Sequence, residues 1–180
     1  MMESSVNGKR LKLVKGDITA LDVEAFVFYA RPDLKLGTGF GGAIAQRGGG
    51  TIQEELDRAG GAETGGCVIT GAGNLKAKYI IHAVGPKHHE ADEEQKLRRT
   101  IQGALQAAKG KGIRQIAFPA MGVGFYGVSL PLCGKVMLDE ISRHLQNGTT
   151  LDEVIICLLD NREMKPFSEY FGSIGKGKND

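Results

Sequence analysis

Short apolar segments alternate with segments of helical periodicity along almost the whole chain, and this alternation constrains the fold more than any other feature. Continuous apolar runs are typical of strands buried on both faces, whereas an apolar stripe at helical spacing is typical of a packed helix. The pattern predicts strands at residues 11–14, 24–30, 67–70, 79–84, 115–118 and 154–159. It predicts helices at residues 41–47, 51–60, 92–109, 129–148 and 162–171.

The order of these elements predicts an α/β fold, because strands that alternate with helices form a largely buried, partly parallel sheet. We therefore expect a three-layer α/β/α sandwich with a mixed, mostly parallel central sheet. A chain of 180 residues fits one domain, residues 1–180, with its core at about 11–171. We expect a short polar N-terminus before this core, and a disordered polar tail at residues 175–180 after it.

Several helix ends carry recognisable signals. Thr51 and Glu54 have the spacing of a capping box, and Gly60 is placed to end the helix that follows. Ser129 is a predicted N-cap because Pro131 lies in the first turn of the next helix.

Composition and charge exclude several classes of protein. The formal net charge is only +2, so we expect neither a nucleic-acid nor a membrane partner. No apolar run approaches the ~20 residues of a transmembrane helix, and residues 1–10 lack the apolar centre of a secretory signal. The three cysteines have no C-x-x-C spacing, which favours a reducing, cytoplasmic location.

Glycines are concentrated in two loops that each follow a predicted strand, at residues 36–44 and 121–127. In α/β sheets, ligands bind beyond the carboxyl ends of the strands. Loops of this kind direct backbone N–H groups at phosphate without needing Lys or Arg. Neither loop matches the P-loop pattern. Gly37, Gly39 and Gly42 fit G-x-G-x-x-G but follow the second strand, which disfavours a dinucleotide-binding dehydrogenase.

Five motifs follow one another in an order that characterises a known family. They are Val14-Lys-Gly-Asp-Ile-Thr19, the loop Gly37 to Ile44, Thr70-Gly-Ala-Gly-Asn-Leu75, Tyr79-Ile-Ile-His-Ala-Val-Gly-Pro86, and Ala117-Phe-Pro-Ala120 with Gly124-Phe-Tyr-Gly127. From about Leu11 to Phe171 the chain closely resembles the macro domain family. The resemblance implies a three-layer α/β/α fold and a cleft that binds ADP-ribose, free or attached to a protein. We expect no metal and no cofactor besides this ligand.

The resemblance also implies individual roles along that cleft. Asp17 accepts a hydrogen bond from the adenine amino group, and Ile18 supplies backbone and apolar contact beside it. Leu159 stands where the family often has an aromatic residue that stacks on adenine, so apolar contact remains there but stacking is weaker. Without the family resemblance, the more common role for an aspartate such as Asp17 is to cap a turn. The pyrophosphate and the distal ribose are lined by two sets of residues, Gly39, Phe40, Gly41, Gly42, Ala43 and Ile44 in the first loop and Gly122, Val123, Gly124, Phe125 and Tyr126 in the second.

The chain differs from the family at the positions where hydrolytic members have their catalytic side chains. The usual Asn-Ala-Ala-Asn motif aligns with residues 28–31, so Phe28 and Arg31 replace the two asparagines. The acidic residue that often precedes the final Gly-Ala-Ile aligns with Gly41. General-base hydrolysis therefore lacks the side chains that polarise a water. We expect a module that binds ADP-ribose without efficient turnover.

Two other functions stay open. The first is an ADP-ribosyl hydrolase or O-acetyl-ADP-ribose deacetylase that acts through substrate-assisted chemistry. The second is a cleft repurposed for another nucleotide or for a protein contact, because Phe28, Val123 and Leu159 make the cleft more apolar.

Two of the replaced positions each have two possible roles. Arg31 either contacts the ligand or is a solvated loop residue, and Phe28 either fills the ribose site or belongs to the sheet core.

Two further residues carry chemically active side chains. His82 lies within a predicted strand and is expected to be a satisfied core or edge histidine rather than a catalytic residue. Cys133 follows Ser129 by one helical turn, and a helix N-terminus lowers the pKa of a thiol, so Cys133 is a conceivable nucleophile. No histidine lies beside it in sequence.

Overall fold

Strands and helices alternate through residues 1–174, the part of the chain that the computed structural model describes; the predicted tail at 175–180 lies outside it. The strands are β1 (Met2–Val6), β2 (Lys9–Lys15), β3 (Ala25–Ala30), β4 (Cys67–Gly71), β5 (Tyr79–Val84), β6 (Gln115–Phe118) and β7 (Glu153–Leu158). The helices are α1 (Gly39–Gly48), α2 (Thr51–Ala59), α3 (Glu93–Lys111), α4 (Leu130–Gln146) and α5 (Asn161–Phe171), with a 3₁₀ turn at Ile18–Ala20. None of these helices combines the length and apolar character that crossing a bilayer requires.

All strands of the described residues belong to one sheet, in the order β1-β2-β7-β6-β3-β5-β4. The pairs from β2 through β7, β6 and β3 to β5 are parallel, whereas the edge strands β1 and β4 pair antiparallel with their neighbours. The predicted mixed, mostly parallel sheet is confirmed.

The central strand β3 shows how the sheet separates two cores. Successive side chains of a strand point to opposite faces. Val27 and Tyr29 belong to the core that packs against α3, α4 and α5, and Phe26 and Phe28 to the core that packs against α1 and α2. Because both faces are covered by helices, all of β3 is buried. The three-layer α/β/α sandwich is therefore confirmed.

Strand β1 was not predicted, because its residues are mostly polar. It is an edge strand in which only Val6 is fully buried, so the apolar content that signals a central strand is not needed. Asn7 and Gly8 both have positive φ, 51° and 77°, and turn the chain into β2. An Asn-Gly pair is a strong signal for this type of hairpin turn, so the strand was detectable from its turn.

The helix ends agree with two of the three predicted signals. Ser129 caps α4, accepting a hydrogen bond from the N–H of Leu132 at 3.3 Å, and Gly60 ends α2 in the left-handed conformation. The prediction of a capping box at Thr51 is wrong. Gly50 is the N-cap, and its carbonyl accepts from the N–H of Glu54 at 3.2 Å, so Thr51 already lies inside the helix and does not cap it.

Candidate functional site

The loops that follow the parallel strands meet at one edge of the sheet. Lys15 of β2 pairs with Leu158 of β7, and the N–H of Gly16 donates to the carbonyl of Leu158 at 2.9 Å. Asp17 and Leu159 therefore leave the sheet side by side. The loops after β6 and β3 follow in strand order along the same edge. This is the edge at which open α/β sheets bind ligands.

A cavity of about 450 Å³ lies between the β3–α1 segment and the β6–α4 loop. Its volume falls in the range of small-molecule sites. Phe28, Tyr29, Leu36, Pro119 and Ala120 form part of the wall. The cavity also brings together eight of the predicted site residues, namely Arg31, Gly39, Phe40, Gly41, Gly122, Val123, Phe125 and Tyr126.

The N-terminus of α1 contributes free backbone donors to this cavity. The first N–H groups of an α-helix have no partner within the helix, and the N-cap Thr38 provides no side-chain hydrogen bond to them. Gly39, Phe40 and Gly41 carry these groups and also line the cavity. Because the helix dipole adds partial positive charge at this end, the first turn of α1 suits an anion such as phosphate.

The β6–α4 loop supplies a second set of backbone donors. Hydrogen bonds from Gly127 N–H to the Gly124 carbonyl and from Val128 N–H to the Gly122 carbonyl, both 3.0 Å, fold the loop. Within the described chain, the N–H groups of residues 123–126 have no protein acceptor. Such a run of unsatisfied amides next to a cavity favours an anionic ligand.

Gly122 cannot be replaced by a residue with a side chain without strain. Its φ is +78°, a conformation that residues with a Cβ atom rarely adopt. An added Cβ would also lie 2.7 Å from a methyl group of Val128 and 3.1 Å from the ring of Tyr29. The Tyr29 hydroxyl donates to the carbonyl of Pro86, so the ring is held against the loop. The packing of Tyr29 therefore requires glycine at position 122.

Asp17 lies at the opposite end of this edge, outside the cavity lining. One carboxylate oxygen accepts from the backbone N–H of Thr19 at 2.9 Å and from its hydroxyl at 2.7 Å. The other oxygen forms an ion pair with Arg47. Burial alone would raise the pKa of Asp17, but the hydrogen bonds from Thr19 and Arg47 outweigh it and hold the pKa below its usual value. The carboxylate caps a turn, yet its side chain remains 45% exposed, so it can also accept from a ligand.

Arg47 was not identified from the sequence. It lies near the end of α1, donates to both Asp17 and the Thr19 hydroxyl, and joins the helix to the turn after β2. The contact depends on the packing of α1 over the sheet, which no local motif reveals.

The remaining predicted residues differ in how exposed they are at this edge of the sheet. The side chain of Leu159 is 67% exposed, whereas Ile18 is buried in the core beneath the edge. Gly42, Ala43 and Ile44 continue α1 beyond the cavity lining. Because Ile44 is fully buried against the sheet, its side chain packs in the core.

Comparison with known proteins assigns the chain to a family. A sequence model of the macro domain matches residues 30–137, more than half of the chain. The chain belongs to the macro domain family. A macro domain-containing protein of Caldanaerobacter subterraneus is 37% identical over 174 residues, covering 93% of this chain and 99% of that protein. An uncharacterized protein of Thermotoga maritima is 39% identical over 179 residues, but the match covers only 30% of its length.

Another relative and two solved structures carry names that describe a ligand or an activity. A Pantoea vagans protein named O-acetyl-ADP-ribose deacetylase 1 is 36% identical over 158 residues, covering 84% of this chain and 92% of that protein. The Oceanobacillus iheyensis macrodomain with ADP superposes with a TM-score of 0.90 at 26% identity, covering 96% and 95% of the two chains. A Trypanosoma brucei macrodomain in complex with ADP-ribose gives 0.85 at 28% identity, covering 90% and 69%.

In this macro domain, Phe28 belongs to the sheet core, which was the second of its two alternatives. The residue is buried in the core beside α1 and α2, with its ring edge-on to Phe40 at 5.0 Å between centroids and to His82 at 5.9 Å. It also lines the cavity. A core side chain thus forms the wall at one of the replaced asparagine positions.

Arg31, at the other replaced position, is a half-exposed residue of the cavity wall. Its guanidinium donates to Asp33 at 2.6 Å. Because Asp33 balances the positive charge of Arg31, this ion pair leaves the rim of the cavity close to neutral.

Gly41 lacks an acidic side chain, and the surrounding backbone also leaves no space for any side chain at this position. An added Cβ atom would overlap the carbonyl oxygen of Leu36 and lie 2.7 Å from its carbonyl carbon. Gln53 of α2 fixes this segment, accepting from the Leu36 N–H at 3.0 Å and donating to the Leu34 carbonyl at 3.1 Å. The backbone before α1 therefore occupies the space into which a side chain at position 41 would project.

His82 and Cys133 are both core residues. His82 is fully buried with one ring nitrogen 2.9 Å from the Thr70 hydroxyl, but Nδ1 has no partner among the described residues. The core location is confirmed, and the prediction of full satisfaction is wrong. Burial raises the pKa of the Cys133 thiol, so the thiol stays protonated and is a poor nucleophile.

Proposed function

We propose that this macro domain binds ADP-ribose, free or attached to a protein side chain, along the edge formed by the ends of β2, β7, β6 and β3. The observation that carries the proposal is the pair of amide clusters, at the start of α1 and at residues 123–126, that border one cavity. Two adjacent phosphates match two adjacent sets of free N–H donors. Related macrodomains were crystallised with ADP and with ADP-ribose.

In this arrangement the adenine lies at the β2–β7 end. Asp17 is ionised and half-exposed, and it accepts a hydrogen bond from the exocyclic amine. Leu159 covers the base with an exposed apolar side chain. The distal ribose then lies in the cavity beside Phe28 and Arg31.

The same geometry supports binding without efficient turnover. Phe28 and Arg31 stand where hydrolytic members carry asparagines, and the Leu36 carbonyl occupies the space beside Gly41. A general base must lie within hydrogen-bonding reach of the water it activates. No carboxylate or neutral imidazole belongs to the described lining of the cavity.

The second candidate is deacetylation of O-acetyl-ADP-ribose, because a relative 36% identical to this chain carries that name. Such an activity here would use the ligand's own phosphate or a bound water rather than an asparagine or acidic side chain. It predicts slow release of acetate by the wild-type protein.

Isothermal titration calorimetry with ADP-ribose and AMP tests binding. We expect saturable heat with ADP-ribose, and weaker binding of AMP because it lacks the second phosphate and the distal ribose. An absence of heat at millimolar ADP-ribose would contradict the proposal.

Turnover is tested separately by incubating the protein with O-acetyl-ADP-ribose or with an ADP-ribosylated protein. We expect no release above the rate without protein. Release that is saturable in substrate and abolished by excess ADP-ribose would show that the second candidate is correct.

A further inference from the structure

The distal end of the cleft is walled by aromatic rings from both sides. Phe28 of β3 and Phe40 of α1 meet edge-on at 5.0 Å on one side. Phe125 and Tyr126 of the β6–α4 loop meet edge-on at 5.4 Å on the other. All four residues line the same cavity of about 450 Å³.

Few side chains in this cavity are free to bind sugar hydroxyls. The Tyr29 hydroxyl is used by the Pro86 carbonyl, and Arg31 is paired with Asp33. Among the described lining residues, Thr38 and Tyr126 supply the remaining side-chain hydroxyls. A polar group that is buried without a partner costs free energy. The free anomeric hydroxyl of ADP-ribose is therefore poorly matched to this wall.

Phe125 is the most unusual part of the wall, because its side chain is 89% exposed although it lies beside the cavity. An exposed aromatic side chain gains by covering apolar ligand surface. Phe125 lies in the loop with the free amides, so a pyrophosphate bound there, as proposed above, would bring the second ribose and its substituent close to this ring.

We propose that this cleft accepts an intact adenine dinucleotide whose second ribose carries an aromatic ring, and that the ring packs among Phe28, Phe40, Phe125 and Tyr126. This inference rests on the proposed function, because the adenine and the two phosphates occupy the same positions. Aromatic rings pair favourably edge-on or offset at the separations found here. A positively charged ring is also attracted to aromatic faces, and the Arg31–Asp33 pair leaves the rim close to neutral.

Calorimetric titrations with NAD and ADP-ribose test the inference, with chromatography to verify that NAD remains intact. We expect NAD to bind at least as tightly as ADP-ribose. Saturation-transfer NMR should show transfer from the protein to the nicotinamide ring protons as well as to the adenine protons. NAD binding about tenfold weaker than ADP-ribose, or transfer to adenine alone, would overturn the inference.

Substitutions of the wall residues test where the aromatic ring of the ligand binds. Phe125→Ala removes an exposed side chain, so we expect the fold to be kept and NAD affinity to fall about tenfold more than ADP-ribose affinity. Phe28→Leu keeps an apolar residue in the core and should show the same preference. Tyr170→Ala is the matched control, because it removes a partly exposed aromatic residue from α5, outside the cleft.

The outcomes separate this inference from the proposed function. If ADP-ribose binds and NAD does not, or if Phe125→Ala weakens both ligands equally, only the aromatic site is wrong. If neither ligand binds, the proposed function fails as well.

Discussion

The carbonyl of Leu36 lies against the Cα atom of Gly41 so closely that no Cβ atom fits between them. Gln53 holds the Leu36 segment to α2 by two hydrogen bonds. The backbone of this cleft therefore leaves no space for a side chain at position 41. Replacing Gly41 by an acidic residue should not by itself restore hydrolysis.

The first prediction compares Gly41→Ala with Gly42→Ala. Both residues lie in α1, where alanine is intrinsically favoured over glycine by about 1 kcal/mol. At Gly42 an added Cβ would lie 3.3 Å from the Gly37 carbonyl oxygen, a tight but adjustable contact. We expect Gly41→Ala to lower the free energy of unfolding by about 1–3 kcal/mol relative to Gly42→Ala, measured by urea denaturation. Equal stabilities would show that the Leu36 segment moves freely.

The second prediction concerns Gly122 and Gly124, which have φ values of +78° and +86°. Alanine is strained at both, but only at position 122 would it meet Tyr29 and Val128, since position 124 faces open space. We expect Gly122→Ala to destabilise the fold and to weaken ADP-ribose binding at least about tenfold, because the free amides of the loop shift. Gly124→Ala is the control for backbone strain, and an equal effect of the two variants on binding would contradict the close-packing explanation.

The third prediction concerns Asp17. Removing its carboxylate by Asp17→Ala should weaken ADP-ribose binding by about 1–3 kcal/mol, because a hydrogen bond to a charged group is lost. Calorimetry measures the change, and Tyr170→Ala again provides a control away from the cleft. An unchanged affinity would place the adenine elsewhere.

The fourth prediction follows from the Asp17–Arg47 ion pair. Because the bonds from Thr19 and Arg47 lower the pKa of Asp17, Arg47→Ala should raise that pKa toward its ordinary value. Carbon-13 NMR of the aspartate carboxyl groups during an acid titration measures the shift. No change in the Asp17 titration would show that the ion pair does not persist in solution.

Much of the fold was predictable, because it depends on local patterns. The buried run of β3 and the helical stripe of α3 identify their elements directly, and the glycine loops identify the cleft. Arg47 and Leu36 were missed because their contacts join segments distant in sequence, to Asp17 and to Gly41 through the position of α1. The error at Thr51 has a similar origin, since the junction of α1 and α2 starts the helix one residue earlier.

The fifth prediction uses the burial of His82. Burial lowers its pKa to about 4 in the folded state, compared with 6.5 for a solvated histidine. Between these values the unfolded chain binds the proton and the folded chain does not, so the free energy of unfolding falls as the pH decreases. We expect a loss of up to about 1.4 kcal/mol per pH unit below pH 6.5.

Urea denaturation at several pH values between 7 and 4.5 measures this dependence. His82→Gln should be less sensitive to acid than the wild-type protein. Identical slopes for His82→Gln and the wild-type protein would show that His82 is not held neutral in the fold.

We propose that one ligand spans the sheet edge, with its adenine at Asp17 and its phosphates between the start of α1 and the β6–α4 loop. A crystal structure of the protein soaked with ADP-ribose tests it most directly. We expect the adenine amine within hydrogen-bonding distance of the Asp17 carboxylate and phosphate oxygens at the N–H groups of both loops. Adenine bound away from Asp17, or a cleft left empty under saturating ADP-ribose, would contradict the account.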